Sequence, residues 1–122
     1  MLFNASKFEL VRVGKNEEIK HNTNYFTPDM SEIIERTETV RDLGVLLDDD
    51  MTFTSHLSKI KTELKQKSGW ILRSISNRNI IHMRRLWKTY ALPIIDYCSP
   101  LWYSPGSPGL IRELEATQHY FM

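Results

Sequence analysis

Between Phe53 and Ile75 the apolar residues Phe53, Leu57, Ile60, Leu64, Ile71 and Ile75 recur at helical spacing, and almost every charge in the stretch is basic. Side chains three and four positions apart share one face of a helix, so this stripe predicts an amphipathic helix with one face against a core. Thr52 or Thr54 suits its N-cap, since a hydroxyl there accepts from an unpaired amide of the first turn. Lys61, Lys65 and Ser68 fall on the opposite flank, which separates a basic face from the apolar one. Gly69 costs such a helix about 1 kcal/mol relative to Ala and marks close packing or the helix's weak end.

The charge pattern is as uneven as the hydropathy. From His56 to Tyr90 the basic residues Lys59, Lys61, Lys65, Lys67, Arg73, Arg78, Arg84, Arg85 and Lys88 face a single acid, Glu63, a local charge of +8. Residues 29–50 carry eight acids against Arg36 and Arg41, a local charge of −6, and the whole chain nets only +1. A strong local excess within a neutral total points to a polyanionic partner for the basic stretch. Lysines every few residues along a helix also serve as plain solvated surface.

The 122 residues, 41% hydrophobic, suit one core of ordinary globular composition. No run approaches the roughly 20 apolar residues that span a bilayer, and the first residues lack a secretory signal pattern. The lone Cys98 makes neither an internal disulfide nor a multi-cysteine zinc site and reads as a buried small hydrophobe. These features suggest an intracellular protein, nuclear or cytoplasmic, without a membrane partner.

Before the helix, Lys7 to Lys15 reads as a strand closed by Gly14, and Ile19 to Phe26 as its weak antiparallel return. Arg41 to Leu47 is the next expected strand, ended by Asp48-Asp49-Asp50. After the helix, the polar turn Ser76-Asn77-Arg78-Asn79 leads to a second helix with Ile80, Met83, Trp87, Tyr90, Ala91 and Ile94 on one face. Pro93 lacks the amide for an i−4 bond and is expected to kink or end that helix near Tyr90. The stretch Ile94 to Trp102 is apolar enough to be buried. Ser107 as N-cap and Pro108 at the first helical position then start a third helix, with Leu110, Ile111 and Leu114 inward. That helix runs to Met122 without a capping tail, the look of a truncated chain.

The blocks Asn4 to Val11, Val40 to Asp48, Phe53 with His56, Leu57 and Ile60, Leu92 to Trp102, and Ile111 to Gln118 together resemble, in this order, the carboxy-terminal part of a non-LTR (LINE-type, jockey-like) retrotransposon reverse transcriptase. Asn4 to Val11 resembles the N-x-x-K segment of the last palm strands, and Val40 to Asp48 resembles the DLGV-x-LD block of the primer-grip strand. Phe53, His56, Leu57 and Ile60 resemble the start of the thumb helix. Leu92 to Trp102 and Ile111 to Gln118 resemble the two closing blocks. Phe8 departs from the family, which often has Cys or Thr there.

The resemblance implies an α+β fragment, with a short antiparallel strand group over residues 1–50 from the end of a palm. A three-helix thumb-like bundle would follow over residues 51–122. It implies template-directed DNA synthesis from RNA as the parent activity. The aspartates that hold two Mg ions lie upstream of Asn4 in the family, so this chain itself is expected to bind no metal and to polymerise nothing. Asp48-Asp49-Asp50 reads as a turn and helix-start cluster rather than a substitute.

Lys7 resembles the palm lysine assigned as proton donor to pyrophosphate, against a plain surface lysine at a strand start. Leu43 and Gly44 would place the primer strand, since glycine permits close backbone approach, or Gly44 simply packs a strand. Lys61, Lys65, Arg73, Arg84, Arg85 and Lys88 would contact the phosphates of an RNA–DNA hybrid or template–primer duplex without reading bases. The missing palm and fingers would be the protein partners. Trp70, Trp87 and Trp102 are candidate stacking residues, with core packing favoured for the latter two. His21, His56, His82 and His119 form no ligand pattern, and His56 reads as structural. The rival reading is a non-catalytic nucleic-acid-binding module derived from a mobile element, and a third is a decayed fragment without function.

Overall fold

The computed structural model describes residues 4–14, 23–29, 31–76, 78–103 and 108–121. It is an α+β structure whose own contacts divide it into two units, Met1–Phe53 and Thr54–Met122.

In the first unit the regular structure is a hairpin of β1 (Thr39–Asp42) and β2 (Val45–Asp48), antiparallel with Thr39 opposite Asp48 and Asp42 opposite Val45. The expected single strand from Arg41 to Leu47 is therefore folded back on itself. Leu43 and Gly44 form the two-residue turn, both left-handed, with φ of 47° and 89°. Positive φ at both central positions is the type I′ geometry, whose twist matches that of the flanking strands. Gly44 accepts that conformation without a steric cost, which is why the chain reverses there.

The expected strand from Lys7 onward does not form among the described residues. Ala5–Lys7 is instead a 3-10 turn, and the Asn4 side chain accepts from both the amide and the hydroxyl of Ser6. Such local bonds offer the backbone an alternative to a ladder. Leu10 keeps one parallel bridge to Arg36, with the Thr37 amide donating to the Leu10 carbonyl at 2.9 Å. Phe26 of the expected return pairs with Ile33, not with the first segment. Lys15 and Ile19 to Asn22, His21 included, lie outside the described residues.

Each aspartate of the 48–50 cluster has a structural role. Asp48 is buried and accepts from Thr39 Oγ1 at 3.1 Å, and Asp49 pairs with Arg36 at 3.8 Å. Asp50 accepts from both the amide and the hydroxyl of Thr52. Helix α1 (Thr54–Ser74) begins directly after Phe53, which has φ 57°.

The second unit is built on α1 (Thr54–Ser74). The middle of its stripe is buried as the spacing predicts, with Leu57, Ile60, Leu64 and Ile71 almost wholly enclosed and His56 beside them, whereas Phe53, also buried, precedes the helix and the half-buried Ile75 follows it. The next helical run starts at Ile80, capped by Asn79, whose Oδ1 accepts from the Ile81 amide at 2.9 Å. It continues as α2 (Ile80–Leu86), a π-helical stretch Trp87–Ala91, and α3 (Leu92–Asp96). The helix thus passes through Pro93 rather than ending near Tyr90. The wider π turn, in which the Leu92 amide reaches the Trp87 carbonyl, shifts the ladder just before the residue that cannot donate.

Met83, Trp87 and Ala91 are buried, whereas Ile80 and Tyr90 of the expected inner face are exposed. Cys98, at φ 53°, is half-buried and turns the chain into the one-turn α4 (Ser99–Trp102). Trp102 is buried and donates to the Tyr97 carbonyl at 2.9 Å, but Tyr97 and Leu101 are exposed. Helix α5 (Pro108–Phe121) packs along α1 through Leu114, Thr117 and Phe121. Phe121 meets Trp87 with ring centroids 5.0 Å apart, and His56 meets Trp102 edge-on at 6.2 Å. Ser107, the expected cap of α5, lies outside the described residues. No helix among the described residues is long and apolar enough to cross a membrane.

Candidate nucleic-acid interface

Three neighbouring hollows on the second unit gather all six of the basic residues expected to contact phosphate. The first, about 530 Å³, lies between α1 and α5. Lys61, Lys65, Ser68 and Gly69 line it from α1, at positions i, i+4, i+7 and i+8 of one face. Glu113, Ala116, Thr117 and Tyr120 face them from α5 at the same kind of spacing. The second hollow, about 630 Å³, carries Arg73 and Arg78 beside Leu72, Ile80, Met83, Tyr120 and Phe121. The third, about 230 Å³, is lined along α2 and the π turn by Ile80, Ile81, Arg84, Arg85 and Lys88. Tyr120 belongs to the first and second hollows and Ile80 to the second and third, so the hollows adjoin.

This arrangement corrects the expected separation of faces on α1. Lys61 is half-buried and Ser68 is enclosed, 3% exposed, because their side of α1 faces α5 rather than open solvent. Lys61 is ion-paired with Glu113 across that gap. The hydrogen bond from Lys61 and then its charge, with a smaller contribution from Lys65, hold the Glu113 carboxyl below the usual carboxylate range. A depressed carboxylate pKa contributes stability that is present above its unfolded value and lost as pH falls through the folded one. Lys65, Arg84, Arg85 and Lys88 are exposed, and Arg73 is anchored by its Nε donating to the Gly69 carbonyl at 3.1 Å. Gly69 is no close-packing point: a Cβ there would meet only Arg73 Nη2, at an ordinary 3.8 Å.

The other expected site residues belong to the first unit. Lys7 ends the 3-10 turn and is exposed, and Leu43 and Gly44 form the hairpin apex rather than a strand interior. Trp87 and Trp102 are enclosed in the core, whereas Trp70 stands half-exposed, edge-on to Tyr90 at 6.1 Å. No group of three or more potential metal-ligating side chains occurs among the described residues.

Sequence reasoning missed Tyr120, Arg78 and Glu113 as parts of this surface. Arg78 and Tyr120 are far apart in the chain, and only the return of α5 along α1 brings Tyr120 beside the basic row. An aromatic on the outer face of an amphipathic helix was the signal that could have found it. Comparison of the chain with protein-family models, with curated proteins and with solved structures found no match.

Proposed function

We propose that the second unit grips the phosphate backbone of a nucleic acid, as the thumb of a non-LTR reverse transcriptase grips a template–primer duplex. The observation that carries this reading is the chain of three adjoining hollows lined by Lys61, Lys65, Arg73, Arg78, Arg84, Arg85 and Lys88. Glu113 is the one acid among the described residues lining them. Cations spread along a surface suit a polymer of phosphates, which supplies affinity and register without sequence readout. The reverse-transcriptase assignment rests on the five ordered sequence blocks, with the α+β layout in keeping with it. In that setting Leu43 and Gly44 would approach the primer strand, Lys7 would serve the leaving pyrophosphate, and palm residues upstream would hold the two Mg ions.

The test is binding of the purified chain to a labelled RNA–DNA hybrid across a salt series. With about four phosphates neutralised, log K falls against log[salt] with a slope of about −3 to −4. Reversing Lys65, Arg84 and Arg85 to Glu flattens the slope and weakens binding to every sequence alike. An affinity indifferent to salt, with circular dichroism confirming a folded protein, would sink the proposal.

A further inference from the structure

The hollow between α1 and α5 has features that phosphate gripping does not use. Four of the residues lining it are small, Ser68, Gly69, Ala116 and Thr117, so the two helices leave a cleft where larger side chains would have met. Its volume of about 530 Å³ is in the range that takes a small organic group. Ser68 lines it, is 3% exposed, and its Oγ has no hydrogen-bond partner in the structure. A buried hydroxyl without a partner is uncommon. The Thr117 hydroxyl donates to the Glu113 carbonyl, which leaves its oxygen able to accept. Tyr120 is 81% exposed and lines both this cleft and the next, with Lys65 on one side and Arg78 on the other.

We propose that this cleft receives an unstacked base of a single-stranded nucleic acid, with the base against the Tyr120 ring and the flanking phosphates on Lys65 and Arg78. The inference rests on the nucleic-acid reading above and sharpens it, because it assigns a site to bases as well as to phosphates. Each component matches the chemistry of a nucleotide. Aromatic faces take any base by stacking, and lysine and arginine take the backbone on either side. A duplex keeps its bases stacked and offers none of them to the cleft, so the partner is an unpaired stretch of RNA or DNA.

The experiment compares fluorescently labelled single-stranded oligonucleotides, ribo and deoxy, with deoxy oligonucleotides of the same length carrying abasic positions. Phosphate number is constant, so any difference reports the bases. The expected result is binding about tenfold tighter for the intact deoxy strand, within the span of one base–aromatic stack. Two variants at exposed positions test the location: Tyr120→Ala removes the ring, and Ala116→Leu fills the cleft. Each should bring the ratio of intact to abasic affinity to about one. Equal binding of intact and abasic strands by the native protein overturns the base site and leaves phosphate gripping standing. A ratio that persists in both variants overturns it as well, since the bases then bind elsewhere. Failure to bind any strand or hybrid removes the base site together with the nucleic-acid reading.

Discussion

Leu43 holds a left-handed backbone at φ 47°, a conformation in which an L side chain crowds the following carbonyl and costs about 1–2 kcal/mol. The side chain is 85% exposed, so burial offsets little of that cost. Asn is the preferred residue at the first position of a type I′ turn before Gly, because it tolerates the left-handed region. Leu43→Asn should therefore stabilise the protein by about 1 kcal/mol, read as a higher midpoint in chemical denaturation. A lower midpoint would mean that the leucine makes contacts worth more than its strain. A strained residue kept at an exposed apex is also what a contact site looks like, and this apex is where the family resemblance would put the primer strand.

Among the elements, α1 carries the most of both core and candidate site. One stripe of it, Leu57, Ile60, Leu64 and Ile71, is sealed into the unit, and a neighbouring stripe, Lys61, Lys65, Ser68 and Gly69, lines the cleft against α5. Gly69 sits inside this 21-residue helix with room for a methyl group. Gly69→Ala should raise stability by about 1 kcal/mol, seen as an increased Tm, because the backbone loses less freedom on folding. No rise, or a fall, would show that the helix needs the glycine for a shape its contacts do not reveal. The second helical run teaches a different lesson. Pro93 was legible as a disturbance, but the form of the disturbance, a π turn that lets the helix continue to Asp96, depends on Trp87 and Ala91 both being held in the core.

At the scale of the whole molecule the two units differ in what encloses them. Among the described residues of Met1–Phe53, the buried ones are Thr27, Val45, Asp48 and Phe53, and the regular sheet is a two-stranded hairpin. Such a hairpin is marginal without further packing. Thr54–Met122 packs its helices around Leu57, Leu64, Ile71, Trp87, Leu114 and Phe121. Native-state hydrogen exchange should accordingly show the amides of Val40 to Leu47 exchanging well before those of Ile60 to Ile71. Equal protection in both would mean that the units unfold as one.

The period of the apolar residues determined α1 and the inward Leu114 of α5, because helix burial follows a local repeat that the chain carries wherever it packs; Ile111 is only half-buried and the Leu110 side chain lies outside the described residues. The polar turn before Ile80, not the period, marked the start of the second helical run. The excess of basic charge from Lys59 to Lys88 was equally plain in the residues. The strands were not legible: the order Arg41 to Leu47 fits one strand or two short ones, and only the pairing of Thr39 with Asp48 selects the hairpin, with Gly44 supplying the turn. The tertiary structure alone decided that Lys61 and Ser68 face α5, and that Tyr120 stands beside Lys65 and Arg78. Those pairings join residues dozens of positions apart, and their geometry follows from how whole helices pack rather than from any local preference.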